Sequence, residues 1–356
     1  MDELGSVLRN LNGPVLITGH TGFKGTWLTL LLEQLGVSAV GFSLEPEKTS
    51  LFTRANRLGK IPEFFGNINS IDTVENVFKM FKPSCVIHMA AEAIVLNAYD
   101  KPIQAFTTNV IGTANVLEIA TLSPNVKISG CATSDKVYKN DELGRRFVEN
   151  DKLGGNDPYS ASKVAAEQAI AAWRNLAMSR NGSKIIGFRS GNVIGGGDFA
   201  KHRIIPDLIR TIYYGDELII RNRFATRPWQ HTIDPLIGYL MALEFNLNSE
   251  KEELLDFNFG PDDQSLSVEQ LIDIARESLP DKDIAVSYET INRYEASALQ
   301  LSSENAFKIL GWKPIFNQED AIRKTFTWWK EHLDYGSSAE SLCKTEIIRT
   351  LEGLYE

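Results

Sequence analysis

Val15-Leu16-Ile17-Thr18-Gly19-His20-Thr21-Gly22-Phe23-Lys24-Gly25-Thr26-Trp27-Leu28 decides the fold. A short apolar run ends in Gly19, Gly22 and Gly25, and a densely apolar stretch follows with Trp27, Leu28, Leu30, Leu31, Leu32 and Leu35. That order reads as strand, glycine turn, helix. Glycines permit a tight turn and close backbone approach, so a pyrophosphate can rest on free amides at the positive helix end. Gly19, Thr21, Gly22, Phe23, Lys24 and Gly25 are therefore candidate dinucleotide contacts, with Lys24 adding positive charge for a phosphate.

Outward from the turn, Gly36 closes the helix and Ala39-Val40-Gly41-Phe42 supplies the next strand. The alternation continues through Cys85–Met89, a helix from Ile103 to Ala120, Lys127–Ala132, a helix from about Tyr159 to Ala177, and Ile185–Arg189. Apolar runs this continuous imply a parallel sheet covered on both faces. The fold class is α/β: a doubly wound parallel Rossmann sheet with a smaller C-terminal substrate-binding α/β domain. The expected boundaries are 1–192 plus about 231–256 for the first domain, and about 193–230 plus 257–335 for the second. Gly336-Ser337-Ser338 reads as a linker to an amphipathic tail, Leu342 to Leu354.

Composition sets broad limits. The 356 residues suffice for about two domains, and a net charge of -9 disfavours nucleic acid as the main partner. Cys85, Cys131 and Cys343 are too scattered for a disulfide framework, which suggests a reducing compartment. No apolar run reaches about 18 residues, and no basic-then-apolar leader is visible, so a soluble cytoplasmic protein without a membrane partner is expected. No His, Cys and acid spacing resembles a metal-ligand set.

Tyr159 and Lys163 stand one helical turn apart, on one face. A tyrosine acting as a base near neutrality must fall by about 3 from an ordinary pKa of about 10, roughly 4 kcal/mol. Lys163 and an oxidised nicotinamide ring can supply that charge. Upstream, Thr133-Ser134-Asp135-Lys136-Val137-Tyr138 follows an apolar strand, at the end where α/β sheets place ligands. Ser134 can donate to the same oxygen as Tyr159. Once a sugar C4 is a ketone its C5 proton is acidified, and an acid near C6 with a base near C5 completes loss of water. Asp135 suits the acid; Lys136 is either the base or a fixed cation stabilising the enolate.

From Lys201 to Arg227 the chain reverses its overall sign, with Arg203, Arg210, Arg221, Arg223 and Arg227. Arginine forks match diphosphate oxygens, so a nucleotide-sugar site is the physical reading of the cluster, with Arg227 favoured over Arg210. His88 reads as a satisfied core histidine. The end of the second strand, Gly41-Phe42-Ser43-Leu44-Glu45, lacks an acid at the usual ribose position, and no arginine suited to a 2′-phosphate precedes Arg54. NAD is favoured over NADP.

With these elements in place the chain resembles extended short-chain dehydrogenases that act on nucleotide sugars, and most closely the CDP-glucose 4,6-dehydratase group. GHTGFKGTWL (19–28), TSDKVY (133–138), ENDKLGGNDPYSASK (149–163), SGNVIGGGDF (190–199), RPWQH (227–231) and FNFGP (257–261) carry the likeness. The aspartate-lysine pair sides with this group against the dTDP-glucose type, with Asp-Glu there, and the GDP-mannose type, with Ser-Glu. The resemblance implies NAD-dependent oxidation at C4, loss of water across C5 and C6, and hydride return to C6. It implies Ser43, Asn67, Ile68, Ala90, Ala91, Asn109, Tyr159 and Lys163 as further cofactor contacts. Asn192, Arg203, Arg221, Arg227 and His231 are the implied substrate contacts, and a homodimer or homotetramer the implied assembly. Two stretches depart from the group. Glu92–Tyr99 replaces AAQPLVRxSY-type residues with Leu96 and Ala98 where arginine and serine are usual, and Asn67 replaces an aspartate that meets the adenine. A 4-epimerase, a plain oxidoreductase, a dehydratase of another nucleotide hexose and a non-catalytic dinucleotide sensor are the competing readings.

Overall fold

The computed structural model describes residues 3–220, 222–249, 256–288 and 299–354. Arg221 lies outside the described residues. Seven parallel strands form the central sheet: β1 (Val15–Thr18), β2 (Ala39–Ser43), β3 (Glu63–Phe65), β4 (Cys85–His88), β5 (Ile128–Ala132), β6 (Lys184–Ser190) and β7 (Asp256–Phe259). Their spatial order is β7-β6-β5-β4-β1-β2-β3. β1 pairs with both β2 and β4, so the chain reverses its winding there, and a crevice opens at the carboxyl ends of β1 and β4. The continuous apolar runs have their explanation in burial: β1, β2 and β4 are buried along their whole length.

The principal helices are α1 (Phe23–Gln34), α2 (Ile71–Phe81), α3 (Thr113–Leu122), α4 (Pro158–Ser179), α5 (Ile204–Tyr214), α6 (Ile233–Asn248), α7 (Val268–Ser278), α8 (Gln318–Leu333) and α9 (Ala339–Gly353). The helix expected from Ile103 to Ala120 arrives in three pieces, Pro102–Phe106, a π-helical Thr107–Gly112, and α3. α6 packs on the sheet, and β7 pairs with β6 at the sheet's edge.

The tail packs on its own chain. α9 covers the outer flank of α1, burying Ala339, Cys343, Ile347 and Thr350. This is why α1 is apolar on so many sides: every residue from Gly25 to Leu32 is buried. Around the contact, the buried Arg57 guanidinium bridges Glu33 of α1 (2.7 Å) and Glu340 of α9 (2.9 Å), and Lys344 reaches Glu33 at 2.8 Å. No helix among the described residues is long and apolar enough to cross a membrane.

Candidate active site

A cavity of about 1450 Å³ opens over the carboxyl ends of the strands, between the sheet domain and the segments that follow Ser190. That exceeds the roughly 300–1,000 Å³ of a typical single-ligand pocket and leaves room for two ligands side by side.

One end is the glycine turn. Gly19 has φ +78°, and a Cβ there would lie 2.8 Å from the Ala90 nitrogen. A Cβ on Gly25 would collide with the Gly19 carbonyl and come within 2.7 Å of the His20 Cα, so both positions require glycine. Gly22 caps α1 without any side-chain cap, leaving first-turn amides available to an anion. Ser43, Asn67, Ile68, Ala90 and Ala91 line the same end, with Thr21, Phe23 and Lys24. The Thr21 and Ser43 hydroxyls hydrogen-bond at 2.7 Å, and Asn67 accepts the Asn69 amide within its own turn. Arg54 lies over the rings of Phe199 and Trp329. The glycine turn and its lining fit a dinucleotide.

Lys24 lines this end with its ammonium tied to neighbouring hydroxyls. Its ammonium donates to Tyr239 Oη (2.6 Å) and Ser190 Oγ (3.2 Å), and burial, with the Arg203 charge, lowers its pKa to about 7. Asn109, on the π-helical turn, is buried and absent from the cavity wall. Its amide holds the Glu92 carbonyl (3.1 Å) and Ser162 Oγ (2.9 Å), so it braces the wall from behind.

The reactive centre lies where β5 meets α4. Asp157 caps α4 through the Tyr159 (2.9 Å) and Ser160 (3.0 Å) amides, with Pro158 at the first helical position. Tyr159 and Lys163 therefore project from one face into the cavity. Burial raises the Tyr159 phenol to about 12, opposed by a hydrogen bond with Ser134, in contrast to the lowering expected from Lys163. Lys163 itself falls to about 8 through burial and the charge of Lys24, and it donates to the Ala132 carbonyl at 3.4 Å.

Asp135, Lys136 and Val137 form a single 3₁₀ turn after β5, with Ser134 as its N-cap. Ser134 Oγ accepts the Lys136 amide (3.2 Å) and donates to Asp135 Oδ1 (3.0 Å). Asp135 is 3% exposed, and its Oδ2 has no hydrogen-bond partner among the described residues. Burial raises its pKa, against the opposing charges of Lys136 and Arg227 and the Ser134 hydrogen bond.

Asn192, Arg203 and Arg227 line the far end of the cavity. Arg203 is held by Asp198 at 2.9 Å, and Arg227 donates to the Thr226 carbonyl. Arg210 is turned onto the Phe199 carbonyl and Asp207. His231 is a correction. The strand Gln230–His231 pairs with Val193–Ile194, and the imidazole faces away from the cavity, fully buried, edge-on to Trp27 and 3.5 Å from Glu346 of α9. His88 is the expected core histidine, between the hydroxyls of Thr18 and Thr113.

A family model described as the NAD dependent epimerase/dehydratase family matches residues 15–260. A CDP-glucose 4,6-dehydratase of Salmonella typhimurium is 36% identical over 89% of this chain and 90% of its own length. The chain belongs to the NAD-dependent epimerase/dehydratase family. It is an enzyme, and NAD is its cofactor. A UDP-glucose 4-epimerase of Pisum sativum is 26% identical over 89% of this chain and 96% of its own length. Among solved structures, a dTDP-glucose 4,6-dehydratase of Bacillus anthracis in complex with NAD superposes with a TM-score of 0.76 at 21% identity, covering 91% of this chain and 98% of that one. At that identity the likeness speaks for the fold.

Sequence reasoning missed the groups behind the turn. Glu167, Arg189 and Asp198 are buried charges that hold candidate site residues or their neighbours. Only Glu167 carried a signal: it continues the spacing of Tyr159 and Lys163 by one more helical turn.

Proposed function

We propose that the chain is a nucleotide-sugar 4,6-dehydratase that converts CDP-glucose to CDP-4-keto-6-deoxyglucose and water. The observation that carries the reading is Asp135: a buried carboxyl with a raised pKa and an oxygen unpartnered among the described residues, in one cavity with Tyr159 and Lys163. Alcohol oxidation alone gives such a group no task. A carboxyl whose pKa burial raises, beside the redox pair, suits delivery of a proton to a departing hydroxyl.

In this reading Tyr159 takes the C4 hydroxyl proton, Ser134 holds the C4 oxygen, and the Lys163 charge favours the phenolate. NAD held over the glycine turn of Gly19, Gly22 and Gly25 would supply the hydride chemistry of the oxidation and of the final reduction at C6. Asp135 protonates the leaving C6 hydroxyl, and Lys136 acts at C5, as base or as the cation facing the enolate. Arg203, Arg227 and Asn192 hold the nucleotide diphosphate. The exposed Ile103, Phe106 and Ile111 support pairing of two copies through the helices beside the site.

The test is turnover against CDP-, dTDP-, GDP- and UDP-hexoses with product mass measured. CDP-glucose should give a product lighter by one water. A product that retains every hydroxyl refutes dehydration and leaves an epimerase or oxidoreductase. Dehydration of another nucleotide hexose keeps the chemistry and moves the substrate, which the apolar wall of Ala93, Ile94, Val95 and Leu96 gives reason to include.

A further inference from the structure

Thr133 and Tyr138 flank the Ser134–Val137 turn, and both are tied to one buried ion pair. Glu167, on α4 one turn beyond Lys163, and Arg189, on β6, meet at 2.7 and 3.0 Å with side chains 3% and 4% exposed. Thr133 Oγ1 donates to Glu167 Oε1 at 2.5 Å. Arg189 Nη1 donates to Tyr138 Oη at 3.0 Å and to the Glu149 carbonyl at 2.8 Å, and Tyr138 Oη donates on to Asn258 Oδ1 at 2.7 Å. Between the two ties the turn is held by Ser134, which bonds the Lys136 amide, Asp135 and Tyr159, by short backbone contacts, and by the Val137 carbonyl, which accepts the Gly154 amide at 2.9 Å. The Thr133 and Tyr138 ties join both flanks of the turn to the ion pair on the helix that carries Tyr159 and Lys163.

We infer that Glu167 and Arg189 are positioning residues: they form a rigid frame that fixes the Ser134–Asp135–Lys136 turn in register with Tyr159 and Lys163. The inference rests on the dehydratase reading for its catalytic consequence, because the two groups of side chains must then reach neighbouring carbons of one sugar. A buried, bidentate pair with its remaining polar atoms satisfied suits that task, since it permits one arrangement and penalises others. A frame shifted by about 1 Å costs on the order of a hundredfold in a positioned reaction.

The experiment separates the frame from general stability. Replacing Glu167 or Arg189 strands a buried charge and risks unfolding. Thr133→Val and Tyr138→Phe instead cut one tie each and leave the ion pair intact. With CDP-glucose and NAD, single-turnover absorbance reads hydride transfer from C4, and product mass reads loss of water. Each variant should slow water loss about 10- to 100-fold while hydride transfer stays within about twofold, and Thr133→Ser should restore the wild-type ratio. A parallel fall of both steps, or a lower melting temperature with an unchanged ratio, overturns the frame. If wild type forms no dehydrated product, the functional reading fails, and the frame is judged by carbon-13 NMR titration of the Asp135 carboxyl, assigned with Asp135→Asn. A titration displaced in both tie variants supports it, and an unmoved one overturns it.

Discussion

The two halves of the candidate site are built differently. Tyr159 and Lys163 stand on a 22-residue helix with a capping box and a proline at its first position, so local backbone geometry fixes their spacing. Asp135 and Lys136 stand on one 3₁₀ turn capped by Ser134, and side chains from α4 and β6 hold its flanks. The helical half is a local construction and the turn is a tertiary one. They should fail in different ways.

The largest effect belongs to the half on which every step depends. Tyr159→Phe should lower C4 oxidation and water loss together by about a thousandfold, measured as cofactor reduction and product mass, because no later step begins without the ketone. Loss of dehydration alone would break the comparison. Asp135→Asn should slow elimination by about a hundredfold and leave cofactor reduction nearly intact. Equal loss of both steps would remove Asp135 from the acid role.

A smaller and more diagnostic effect is in the pH dependence. Asp135 is active as the protonated acid, so its raised pKa keeps elimination available above the ordinary carboxylate range, with loss as pH rises through that pKa. Tyr159 is active as the phenolate, and burial lifts it to about 12, so the oxidation step should quicken as pH rises toward that value. Lys136 and Arg227 face Asp135, while Arg203, Asp135 and Asp157 face Tyr159. Opposite slopes for the two steps in single turnover would sharpen the contrast, and a common slope would erase it. The smallest effect is Asp157→Ala. Loss of that cap should cost about 1 kcal/mol in thermal unfolding and spare the ratio of the two steps.

The same contrast explains what the sequence made legible. Strand, glycine turn and helix around Gly19–Gly25 are local, and the YxxxK spacing becomes a shared helical face without help from the rest of the chain. The aspartate-lysine pair was visible as chemistry, but the Glu167–Arg189 support was not, because it joins residues through the packing of a helix on a strand. His231 misled for a related reason. Its neighbours in RPWQH face the cavity at Arg227, yet pairing with Val193–Ile194 turns the histidine toward α1 and α9. The tail was legible as amphipathic, although its target, the outer flank of the cofactor helix, was not.

That packing has a consequence for how the protein is made. Glu33 and Lys344 meet across 311 residues of chain, so the flank of the helix that presents the glycine turn is completed by a segment made 311 residues later. At about 5–20 residues per second the delay is roughly 15–60 s. Through that interval α1 carries an apolar flank that its final partner has not yet covered.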